Sequence, residues 1–213
     1  VYQRVRRYQV ERIRHGASDP VARQHAVADT VFLVRHHPVA GGPYWDLDVL
    51  GDGFVEPLTP DHTSEVLELT RRRHGEQQEA LAAHWMARQP EAFRVFRRSD
   101  GTLIGYAAYL CLDAAPADDI DADPGTAAMW AYAQQHGPPR PGELVKAWRF
   151  LVDAADVPER ETHAAGTLLG MCHVSDLLTR PRTAWDFIGV YTDAEHWESF
   201  LAHYDFRRTS GAD

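Results

Sequence analysis

A chain of 213 residues, 44% hydrophobic and 25% charged, has enough apolar material for one full core and a small appendage. That composition excludes disorder, collagen and coiled coil, and no apolar run reaches the roughly 20 residues of a membrane helix: the longest candidate, Val27 to Val34, is broken by Asp29 and Thr30. The net charge of -9, from 31 acidic against 22 basic residues, argues against a surface that coats nucleic acid. Lys146 is the only lysine, and Cys111 and Cys172 are too few for a disulfide scaffold, so both read as reduced thiols of a cytoplasmic protein. The chain opens at Val1 with no basic-then-apolar leader, which reads as a trimmed chain or a piece of a longer one.

The first 15 residues carry Arg4, Arg6, Arg7, Arg12 and Arg14 against Glu11, with Val5, Tyr8 and Ile13 as apolar members, and read as a solvated helix rather than a nucleic-acid arm. Asp19 and Pro20 start a second helix whose face holds Val27, Val31 and Val34 and which ends before Gly41-Gly42-Pro43. Tyr44 to Gly53, rich in Asp and Gly, reads as a linker, so residues 1–52 form a helical extension and 53–213 the main domain. There Phe54 to Leu58 is an edge strand containing Pro57, and Thr59 caps a helix beginning at Pro60. A second helix presents Leu81 and Trp85 and stops near Pro90. Phe93 to Arg98 and Thr102 to Leu112 flank Ser99-Asp100-Gly101 and predict a hairpin, the second arm apolar on both faces.

Residues 113–142 read as an insertion. Asp119, Asp121 and Asp123 alternate as calcium ligands do, but Pro124 stands where that loop needs glycine and Trp130 where it needs glutamate, so Asp123-Pro124 reads as a helix start. Leu144 to Val152 is then a strand, Glu159 to Leu178 a helix, and Thr183 to Tyr191 a strand. A helix from Asp193 to Tyr204, capped by Thr192 and Glu195, and a short strand at Phe206 to Thr209 complete the order. The predicted class is α/β (α+β), a mixed central sheet with helices on both faces. Of the 12 histidines, His36-His37 point apart on a helix, His196 and His203 lack a third ligand, and His163 and His173 lie too far apart along one helix. No metal is expected.

From Gly53 onward this order resembles the GNAT superfamily of acyl-CoA-dependent N-acyltransferases. Phe54-Val55-Glu56-Pro57-Leu58-Thr59-Pro60, Asp100-Gly101-Thr102-Leu103-Ile104-Gly105-Tyr106 and Phe200 to Arg208 are similar to that family's opening strand, hairpin and closing helix. The resemblance implies that the fourth and fifth strands splay apart around the pantetheine of acetyl-CoA, beside Leu151 and Val152, with the pyrophosphate on backbone N–H groups at the following helix start. Its loop maps to Arg160, His163, Ala165 and Gly166, where Arg160 and Ala165 match, His163 replaces a glycine, and Glu159 and Glu161 add negative charge. The family's tyrosine proton donor falls on Leu201, and Asp205 takes the place of the glycine after that helix; Tyr204 is the neighbouring candidate donor. Asp186, between Trp185 and Phe187, is the most anomalous charge in the predicted core, either a general base or the structural partner of an arginine such as Arg149.

Two functions follow. One is an N-acetyltransferase in which an amine, small or peptidic, attacks the thioester directly; the other is a non-catalytic GNAT-like binding or regulatory module at the end of a larger protein. A second copy of the chain, through the insertion or the first helices, is the further partner considered.

Overall fold

The computed structural model of the chain describes residues 2–15, 20–33, 35–38, 45–155, 164–179, 182–190 and 194–209. The chain divides into two compact units: residues 1–52, 157–181 and 193–207 form the first, and residues 53–156, 182–192 and 208–213 the second.

The second unit is built on a five-stranded mixed sheet in the order β1(Gly53–Pro57), β2(Phe93–Arg98), β3(Leu103–Cys111), β4(Leu144–Asp153), β5(Thr183–Ile188). Neighbours are antiparallel except β4 and β5, which are parallel and joined by a long crossover. The β2–β3 turn closes because Gly101 takes φ +86° and Asp100 Oδ1 accepts the Thr102 N–H at 2.9 Å. Pro57 sits on the edge strand, where its missing donor costs no ladder bond.

One face of this sheet is covered by helices α4(Pro60–His74) and α5(Glu76–Arg88), and by α7(Pro124–His136), which follows the short α6(Ala117–Asp121). Gly75 separates α4 from α5 at φ +84°, its N–H returning to the Arg71 carbonyl. Thr59 opens α4 through its backbone rather than its side chain: the hydroxyl makes no capping bond, and Pro60 at the first position removes one donor that needed a partner. Between helices and sheet lie Val66, Leu69, Trp85, Phe93, Tyr106, Leu110 and Phe150, with the Phe93 ring stacked near Tyr106 and Phe150 at 6.1 and 6.3 Å.

In the first unit α1(Tyr2–His15) and α2(Pro20–Leu33) pack on each other and on α8(Ala164–Thr179). Ile13, Val27 and Val31 are buried, and Gln9 and Arg12 of α1 both bond Asp29 of α2. Residues 45–52, which composition reads as a linker, are instead packed: Trp45 is buried, α3(Val49–Asp52) buries Val49, and the Asp46 N–H reaches the Thr167 hydroxyl at 2.7 Å. Asp46 turns the chain by accepting the Asp48 N–H, so its turn chemistry serves a tight corner, not a flexible tether. A Cβ on Gly170 would meet the Trp45 ring at 2.6 Å, which explains the glycine.

The last helix, α9(Ala194–His203), ends in two bonds, Asp205 N–H to Ala202 and Phe206 N–H to Leu201, with Asp205 in the left-handed region at φ 63°. This is the glycine-type helix stop executed by an aspartate. Phe206 to Thr209 therefore forms no strand, because Phe206 spends its N–H on the helix end. The predicted starts at Asp19 and Thr192 lie outside the described residues. Among the described residues, no helix is long and apolar enough to cross a membrane.

Candidate functional site

The feature that distinguishes the second unit is where β5 leaves β4. The two pair in register from Leu144 and Thr183 to Trp148 and Ile188, and the Gly189 N–H makes a last bond to the Trp148 carbonyl at 3.2 Å. Among the described residues, β4 continues to Asp153 against β3 alone. The Ala154 N–H bonds the Ile104 carbonyl, so by strand alternation Phe150 and Val152 also turn toward β3, and Leu151 turns its N–H and C=O toward the side that β5 has left. Leu151 is 42% exposed and Val152 is buried in the core. Of the expected cofactor residues, these two stand at the parting, and Leu151 offers it backbone groups.

The parting coincides with a bulge. Tyr109 faces Trp148 across the β3–β4 ladder and Ala108 faces Phe150, leaving Arg149 as the extra residue. Arg149 turns to the helix-covered face, where its Nε donates to Asp123 Oδ2 at 2.7 Å and its guanidinium to Gln78 at 3.2 Å. Asp123 is fully buried, caps α7 through the Gly125 N–H, and accepts the Trp85 indole N–H at 2.9 Å. Arg149 thus pairs with Asp123, not with Asp186: Asp186 shares the face of its register partner Lys146, and alternation along β4 puts Arg149 on the other.

Asp186 belongs to a second polar group on the opposite face. In register, Cys111 of β3, Lys146 of β4 and Asp186 of β5 form one row across the sheet. Tyr109 donates its hydroxyl to Asp186 Oδ2 at 3.0 Å, its ring stacks on Trp148 at 3.7 Å, and the Lys146 ammonium lies 4.3 Å from that ring's centre. The chain's only lysine is 1% exposed. The Gln89 side-chain amide clasps the Cys111 backbone from both sides, donating to its carbonyl and accepting its N–H, each at 2.9 Å. Asp186 lies two residues inside the paired segment, roughly 7 Å along the strand from the parting.

The other expected residues lie in the first unit. Ala165 and Gly166 occupy the first turn of α8, Ala165 buried; Arg160 and His163 lie outside the described residues. Tyr204 ends α9, its ring 5.0 Å from Phe200, and burial pushes its hydroxyl pKa up. Trp45 is buried within this unit.

Tyr109, Lys146 and the Asp123–Arg149 pair were not predicted as site residues. A signal for the first two exists: Tyr109, Cys111, Lys146 and Trp148 occupy alternate positions of two adjacent strands, which puts them on one face. Among the described residues, no three His, Cys, Asp or Glu side chains could together hold a metal ion. A groove of about 340 Å³ between the start of α4 and the end of α5 is lined by Leu58, Pro60, Leu67 and Met86 among others, and no titratable group lines it. No protein-family model, no curated protein and no solved structure matches the chain.

Proposed function

We propose that the second unit is a GNAT-like acyl-CoA-dependent N-acetyltransferase domain. The observation that carries this reading is the departure of β5 from β4 after Trp148, which leaves the backbone polar groups of Leu151 on a strand edge with no ladder partner among the described residues. An extended, amide-bearing arm such as pantetheine is a chemical match for such an edge, because it can take ladder bonds that a strand would otherwise take. Acetyl-CoA would supply the activated acetyl thioester. The chain's part is to hold that arm along Leu151 and Val152 and to admit an amine, with Asp186 as the proton acceptor.

A calorimetric titration with acetyl-CoA tests this. Micromolar binding, followed by thiol release over an amine panel, supports the enzyme; no heat at high concentration sinks it. Asp186→Asn is expected to keep acetyl-CoA binding and abolish turnover.

The second reading, a GNAT-like binding or regulatory module, draws on Asp186 itself. Its carboxylate already accepts the Tyr109 hydroxyl and neighbours Lys146 in register, an arrangement that pairs a half-buried charge without catalysis. Binding of acetyl-CoA without thiol release over the whole panel would select it.

A further inference from the structure

The bulge at Arg149 and the loss of β5 fall at the same point of β4, and Asp123, the carboxylate bonded to the bulged side chain, comes from the 113–142 segment. We propose that Asp123 is a positioning residue: it holds Arg149 in the bulge and thereby sets where β5 parts from β4. The inference deepens the acetyltransferase reading and rests on it for its functional consequence, since the parting is the proposed slot for acetyl-CoA.

Four observations support the assignment. Asp123 is 0% and Arg149 4% exposed, so the pair is held where water cannot substitute for either partner. The Asp123 carboxylate is itself immobilised by the Trp85 indole and by its capping bond to Gly125. Gln78, in the first turn of α5, adds a second fixed acceptor for the guanidinium, so Arg149 is gripped from two helices. Gly125 leaves room for this: a Cβ there would stand 3.0 Å from Arg149 Nε and 3.3 Å from Asp123 Oδ1. The peptide between Trp148 and Arg149 then has a defined orientation, and its carbonyl accepts the Gly189 N–H, the last bond before the parting. The 113–142 segment is thus part of the proposed slot's frame.

The test uses the double variant Asp123→Asn/Arg149→Met. Asparagine keeps one of the two acceptor oxygens, enough for the Gly125 N–H but not also for Trp85, while methionine keeps most of the arginine's aliphatic length, so the charges leave together and no unpaired ion is buried. The expected result is a folded protein, lowered in Tm by the Trp85 N–H that loses its acceptor, in which amide hydrogen exchange at Gly189 quickens by at least about tenfold, with acetyl-CoA affinity weakened by about tenfold. Gly125→Ala, which presses on Arg149 without removing a charge, should move both readouts in the same direction and decides the matter should the double variant fail to fold. Wild-type exchange at Gly189 in the folded variants would overturn the proposal. Absence of acetyl-CoA binding in the wild-type protein would instead strike the acetyltransferase reading, leaving the exchange result to judge the positioning role by itself.

Discussion

The two faces of the second unit's sheet each carry a buried ionic group, and they are built in different ways. On the helix-covered face Asp123 and Arg149 come from segments far apart in sequence and meet through a bulge, with Trp85, Gln78 and Gly125 filling the remaining valences. On the other face Lys146 and Asp186 are register neighbours on adjacent strands, and Tyr109 bonds one while lying beside the other. The first is a tertiary fastening and the second a product of strand register. A change at the first should disturb the joint between the 113–142 segment and the sheet, whereas a change at the second should stay within three strands.

The strongest way to break this contrast is Asp123→Ala, which leaves Arg149 buried without its carboxylate, deletes the α7 cap and orphans the Trp85 N–H. We expect a loss of about 3–5 kcal/mol in urea unfolding. Next comes Tyr109→Phe, which keeps the stack on Trp148 but removes the hydroxyl from Asp186, with an expected loss of about 1.5–3 kcal/mol because the acceptor is charged. An equal or larger loss than for Asp123→Ala would reverse the ranking of the two faces.

Alkaline pH sharpens the comparison further. Burial raises the Tyr106 hydroxyl pKa, with the Thr70 bond and Arg149 working against the shift. The folded chain therefore keeps this proton where the unfolded chain has lost it, and stability falls as pH rises through about 10. Tyr106→Phe should flatten that limb of the stability–pH curve. The smallest expected effect is Asp205→Gly, which relieves a left-handed aspartate at the end of α9 and should add about 0.5–1 kcal/mol without touching either face.

Much of the strand order was legible because it is written locally. Gly101 announces its turn, Pro57 marks an edge, and the two-sided apolarity of β3 places it inside the sheet. Asp123 was legible as a helix start, and Asp186 as a charge needing a partner. The partners were not: alternation from Lys146, which shares Asp186's face, puts Arg149 on the opposite face, but it does not say that Asp123 will arrive there from the 113–142 segment. The reading of residues 45–52 as a linker failed for a related reason. Turn-forming aspartates describe how the chain bends, and nothing in them says that Trp45 will be buried against Gly170.

The assembly of the first unit from three separated stretches of chain has a consequence during synthesis. Helices α1 and α2 leave the ribosome well before α8, which begins at Ala164 and on which they pack. At common elongation rates that interval is on the order of 10 s, far longer than a helix takes to form and long enough for the apolar stripe of Ile13, Val27 and Val31 to meet other surfaces. The nascent chain must carry that stripe unsheltered until its later partners arrive, which makes the first 50 or so residues the natural place for a chaperone to grip.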